Sequence, residues 1–169
     1  PKDQREMDIS GVFCIRPDGM VELATPDCPY PNGLAFSPDE KVLYVINSRL
    51  DERCDREAEK REVCVHRYVH AFDVRPDGSL ANPRKFADMS SNEEGVPDGM
   101  KVDRKGRLFC TGSGGTWVFD AQGKKLGVVR TPEVPANCAF GGDGWKTLFF
   151  TARTSIYSVR VKTPGIGAF

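Results

Sequence analysis

A unit of one design recurs three times along this chain of 169 residues. Pro31-Asn-Gly-Leu-Ala-Phe-Ser-Pro-Asp-Glu-Lys-Val-Leu-Tyr-Val45 aligns with Pro97-Asp-Gly-Met-Lys-Val-Asp-Arg-Lys-Gly-Arg-Leu-Phe-Cys110. Both align with Pro135-Ala-Asn-Cys-Ala-Phe-Gly-Gly-Asp-Gly-Trp-Lys-Thr-Leu-Phe-Phe150. Each copy reads as a polar or glycine-bearing start, a short apolar strand, an Asp/Gly turn and a second apolar strand. Before the first copy and between the later ones lie Arg16-Pro-Asp-Gly19, Arg75-Pro-Asp-Gly78 and Ala121-Gln-Gly123, flanked by runs rich in β-branched and aromatic residues. Glycine at these places supplies the positive φ of a tight hairpin. Strands are therefore predicted over Gly11–Arg16, Met20–Ala24, Tyr68–Arg75, Thr116–Asp120, Leu126–Arg130 and Ser155–Val161. The unit is two adjacent hairpins, or four strands.

The copies start at Pro31, Pro97 and Pro135, 66 and 38 residues apart. A stretch over residues 49–70 is nearly all charged between Leu50 and Glu62 and has no apolar stripe, so it reads as a solvated insert. Removing its roughly 22 residues brings the first spacing to about 44, the length of a propeller blade. Sandwiches also use many short strands, but without a four-strand unit repeated this regularly. The expected fold is all-β, a β-propeller of four-stranded blades in a single partial domain over residues 1–169. At about 40–45 residues per blade the chain holds roughly three blades, whereas closed propellers use four to eight. Either an N-terminal half or a second copy of the chain is then expected to close the ring.

Charge excludes some partners. The 24 Lys+Arg cancel 24 Asp+Glu, leaving no net field to attract nucleic acid or an anionic membrane. No apolar run approaches the roughly 18 residues of a membrane-spanning helix, and Pro1–Met7 shows no signal-peptide core. Six cysteines include no C-x-x-C pair. Cys14, Cys110 and Cys138 sit in apolar stretches that suit buried free thiols, and Cys54 and Cys64 flank the insert where an oxidising compartment would let them pair. The expected location is cytoplasmic, with periplasmic or secreted settings left open.

In a propeller the innermost strand of each blade starts at the mouth of the central channel, so those first residues converge. The alignment puts Asn32, Asp98 and Ala136 at equivalent positions, each directly after the proline. Two of the three offer oxygen, and an amide with a carboxylate suits a hard divalent cation. Pro-Asn-Gly and Pro-Asp-Gly are equally the residues of ordinary turns, and spacing alone leaves both readings open.

The chain resembles the gluconolactonase/regucalcin (senescence marker protein) family of six-bladed propellers, from Gly11-Val-Phe-Cys-Ile-Arg-Pro-Asp-Gly19 to Thr151-Ala-Arg-Thr-Ser-Ile-Tyr-Ser-Val-Arg160. The most specific segments are Pro31-Asn-Gly-Leu-Ala-Phe-Ser-Pro-Asp-Glu40 and Gly95-Val-Pro-Asp-Gly-Met100. The resemblance implies a lactonase, with Asn32 and Asp98 as ligands of a divalent metal (Ca, Zn, Mg or Mn) and Asp98 also as a base. The metal would polarise the lactone carbonyl and help generate the attacking water. The family also uses a Glu near its N-terminus and an Asn from an early blade. Neither matches a residue of this chain, which resembles the family's C-terminal half. An incomplete ligand set also fits a non-catalytic binding or scaffold module.

Other groups carry less. Asn137 falls one position past the ligand site, opposite Gly33 and Gly99, where a side-chain hydrogen bond at the strand start is expected. His66 and His70 lie in a strand pattern and are expected at the surface. Arg153 stands in a segment the family also shows, near the expected channel mouth. Ser113-Gly-Gly115 follows a strand without opening a helix, so it does not read as a phosphate loop, and no Gly-x-Ser-x-Gly elbow occurs.

Overall fold

The structure, a computed structural model, describes residues 9–51 and 64–167. Among them thirteen strands form four antiparallel sheets. The first pairs β1 (Val12–Ile15) with β2 (Val21–Thr25). The second is the meander β3 (Pro31–Phe36), β4 (Val42–Asp51), β5 (Cys64–Val74) and β6 (Leu80–Asp88). The third repeats it with β7 (Met100–Val102), β8 (Leu108–Gly112), β9 (Gly115–Phe119) and β10 (Lys125–Val129). The fourth has β11 (Pro135–Gly141), β12 (Thr147–Ala152) and β13 (Ile156–Arg160). This is the open partial propeller the repeat predicts, with two complete four-stranded blades between two shorter sheets. No described helix is long and apolar enough to cross a membrane.

The sheets stack face to face, which explains why β4 and β8 read as nearly unbroken apolar runs: both of their faces are covered. Leu43 and Val45 look back to Val12 and Cys28 below the first hairpin. Tyr44 and Ile46 look forward to Met100, Val102, Leu108, Cys110 and Trp117 of the third sheet. Phe109, on the opposite face of β8, meets Cys138, Phe140, Leu148 and Phe150 of the fourth. Each fully buried Leu or Phe contributes about 2 kcal/mol by leaving water, so successive blades are held together by apolar contact. The two end faces lack such cover: Phe13, Ile15, Val21 and Leu23 at one end, Phe149 and Ile156 at the other, are exposed.

Two readings change at β4 and β5. The ladder continues through Arg49↔His66, Leu50↔Val65 and Asp51↔Cys64, so the ends of the charged stretch are strand. Its centre, with Cys54 and any Cys54–Cys64 pairing, lies outside the described residues. His70 is half-buried rather than fully at the surface: its ring stacks on Tyr68 at 4.7 Å and meets the buried Phe72 edge-on at 5.7 Å.

The thiols divide by burial. Cys110 and Cys138 are buried as expected, Cys14 is half-buried, and Cys28 is buried without having been anticipated. Burial pushes Cys28 and Cys138 up to about 12 and Cys110 well above its ordinary value. Thiolate is the reactive form. Iodoacetamide at pH 8 is therefore expected to leave Cys28, Cys110 and Cys138 unmodified in the native protein and to label them in urea. Peptide mass spectrometry reads both states, and native labelling of Cys110 would contradict this packing.

Candidate functional site

The three inner strands converge as the repeat requires. The Gly33 N–H donates to the Asp98 carbonyl at 2.8 Å, and the Gly99 N–H donates to the Ala136 carbonyl at 3.0 Å. Asn32, Asp98 and Ala136 thus stand on three neighbouring inner segments, Asn32 and Ala136 as the second residues of β3 and β11 and Asp98 just before β7. Asn32 and Ala136 are exposed and Asp98 is half-buried.

Backbone geometry sets the glycines after Asn32 and Asp98 apart from those of the hairpins. Gly19, Gly78 and Gly123 have φ of 86°, 82° and 86°, as hairpin turns demand. Gly33 and Gly99 are not among the residues with positive φ. What they supply is closeness. A Cβ on Gly33 would lie 2.4 Å from the Asp98 carbonyl oxygen, and one on Gly99 would lie 2.1 Å from Asn137 Oδ1. The glycines let neighbouring blades touch, which carries Asn32 and Asp98 to the same rim. Asn137 plays the expected strand-start part, its Oδ1 accepting the Cys138 N–H at 2.8 Å.

The charged groups nearby are nearly all committed. Glu93 accepts Arg130 at 2.7 and 3.1 Å, and that guanidinium holds its carboxyl below the ordinary value. Glu94 pairs with Arg153, which places Arg153 on the loop leading to Asp98. Ser113 Oγ donates to the Gly95 carbonyl at 2.8 Å, so the Ser-Gly-Gly turn anchors the same loop. Asp103 binds Arg107 at 2.7 and 2.6 Å. Against this background the Asp98 carboxylate and the Asn32 amide make no side-chain hydrogen bond or ion pair among the described residues. A carboxylate and an amide oxygen on adjoining inner strands are donors of the kind a hard cation takes. It does not fit in number, since no cluster of three or more His, Cys, Asp and Glu occurs among the described residues. A cleft of about 600 Å³, lined by Arg67 and residues 90–96, opens beside the loop to Asp98 rather than on the pair itself.

Thr111, Glu93 and Arg130 went unnoticed in the sequence. A threonine in a strand and an ion pair spanning 37 residues leave no local signal.

Residues 1–154 match the family model described as SMP-30/Gluconolactonase/LRE-like region. The chain is 38% identical over 169 residues to the gluconolactonase of Zymomonas mobilis, covering 96% of this chain and 44% of that protein. It is 31% identical over 140 residues to the L-arabinolactonase of Azospirillum brasilense, covering 80% and 41% respectively. A solved gluconolactonase of Xanthomonas campestris superposes with a TM-score of 0.70 at 34% identity, covering 95% of this chain and 46% of that one. The chain spans less than half the length of each of these relatives.

Proposed function

The chain belongs to the SMP-30/gluconolactonase/LRE-like family, and on that premise we propose that it is part of a sugar-lactone hydrolase of the gluconolactonase kind. Asn32 and Asp98 hold a divalent cation in this reading. The observation that supports it most is the Asp98 carboxylate just before β7, which has no side-chain partner among the described residues while Glu93, Glu94 and Asp103 are all paired. A bound divalent cation would supply Lewis-acid polarisation of the lactone carbonyl and a more acidic water. Asp98 takes a proton from the attacking water, and Asn32 orients by its amide oxygen. The water oxygen joins the carbonyl carbon, the ring C–O bond breaks, and the ring oxygen takes the proton from Asp98 to leave as a hydroxyl, giving a hydroxy acid and restoring the carboxylate. The rest of the cation's ligands come from blades outside this chain, whose seats are the exposed apolar faces of the first and fourth sheets. An N-terminal half is one supplier and a second copy the other; native mass spectrometry of the preparation distinguishes them.

Glucono-1,5-lactone hydrolysis, followed by acid release with Ca²⁺, Zn²⁺, Mg²⁺ or Mn²⁺ added, tests the proposal. Chelation and Asp98→Ala should each lower the rate by about a hundredfold or more, the scale of losing Lewis-acid assistance. Hydrolysis that survives both overturns it, and the propeller then serves as a binding module.

A further inference from the structure

Thr111, in β8, is completely buried, and its hydroxyl is where two blades are tied. Oγ1 accepts the Gly99 N–H at 2.9 Å, a donor it shares with the Ala136 carbonyl at 3.0 Å. It lies 2.8 Å from the Ala136 carbonyl oxygen and 3.1 Å from that of Gly99. With one proton to give, it donates best to the nearer oxygen, Ala136. The main chain completes the arrangement. Thr111 N–H donates to the Gly99 carbonyl at 2.9 Å, and Asp98 N–H to the Thr111 carbonyl at 3.1 Å. On its other side, Asp98 accepts the Gly33 N–H. The segment bearing Asp98 is thus held between the blade of Asn32 and that of Ala136.

A threonine on a covered strand face is ordinarily explained by its β-branched shape, for which valine would serve equally. Here the hydroxyl bonds across a blade boundary to the third equivalent position of the repeat. Ala136 contributes there through its carbonyl, having no side-chain oxygen.

We infer that Thr111 is a positioning residue: its hydroxyl ties the Asp98–Gly99 segment to the Ala136 carbonyl and so fixes the Asp98 carboxylate relative to Asn32. Its chemical meaning rests on the metal-centre reading proposed above, but the geometry is testable without metal.

Amide hydrogen exchange, read by NMR on the full chain, tests it in Thr111→Val and Thr111→Ser. Losing one buried hydrogen bond should speed exchange at Gly99 and at Gly33 by about tenfold. The comparison amide is Val74, whose N–H bonds to the Lys41 carbonyl away from the rim. Gly33 is the informative probe, because its own bond reaches Asp98 and not Thr111. Thr111→Ser, which keeps the hydroxyl, should leave Gly33 within about twofold of wild type. A role confined to packing would raise exchange at Gly33 no more than at Val74, and that result overturns the inference. So does loss of Gly33 protection in Thr111→Ser, the variant to rely on should Thr111→Val not fold. Mn²⁺ titration of the same samples separates the two proposals. Absence of broadening at Gly33 and Gly99 in wild type counts against the metal centre and leaves the exchange result standing. Broadening with an unchanged midpoint in Thr111→Val overturns the positioning role.

Discussion

Gly33→Ala is expected to cost about 3 kcal/mol of stability, the upper range for forcing an extra methyl into a packed contact. The new Cβ would lie 2.4 Å from the Asp98 carbonyl oxygen, 3.0 Å from Gly99 Cα and 3.0 Å from Met100 N. All three obstacles are backbone atoms of the next blade, so no side chain can swing aside. β3 and β7 must part, and the Gly33–Asp98 hydrogen bond of 2.8 Å is lost with them. Gly127→Ala is the control: nothing lies within 4 Å of its Cβ and its φ is not positive. That variant should be neutral or stabilised by about 0.5 kcal/mol through a less flexible unfolded chain. Urea unfolding midpoints of the two read the difference. Equal midpoints would mean that β3 and β7 are not in contact, and the convergence of Asn32 with Asp98 would go with it.

The same glycines show what a sequence of this kind discloses. The architecture was legible because each blade repeats one pattern and every hairpin glycine sits where a turn is required. The site was legible only as a pair of alternatives. Pro-Asn-Gly and Pro-Asp-Gly look like turns, and the use of Gly33 and Gly99 depends on the blade beside them, some 65 and 38 residues away in the chain. Thr111 was illegible for a related reason. Strands take threonine for its shape, and only the neighbouring Ala136 carbonyl turns its hydroxyl into a fastener. His70 was misjudged because period-2 alternation says which residues share a face, not whether another element covers it. Here Cys28, from the chain after the first hairpin, comes within 3.6 Å of its ring. Resemblance to the lactonase family supplied what spacing could not, the choice of Asn32 and Asp98 as one site.

Asp98→Ala and Asp103→Ala are expected to part company by about 3 kcal/mol, although the residues stand five positions apart on either side of β7. Asp103 is fully buried. Its Oδ1 accepts the N–H groups of Lys105 at 2.9 Å and Arg107 at 3.0 Å, and its Oδ2 accepts Arg107 Nε at 2.7 Å. Alanine there removes the acceptor of two backbone N–H groups and of the one-third-exposed Arg107 guanidinium, and three such hydrogen bonds at about 1 kcal/mol each come to about 3 kcal/mol. Asp98 has no such bonds among the described residues, so its truncation should change stability by no more than about 0.5 kcal/mol. Divalent-cation binding and lactone hydrolysis should show the reverse order, with Asp98→Ala abolishing what a still-folded Asp103→Ala retains. Two measurements on each variant, the urea midpoint and the Mn²⁺ titration, are sufficient. If Asp98→Ala proves as destabilising as Asp103→Ala, its carboxylate is a structural group with a partner in the protein. The observation on which the lactonase reading leans would then be gone.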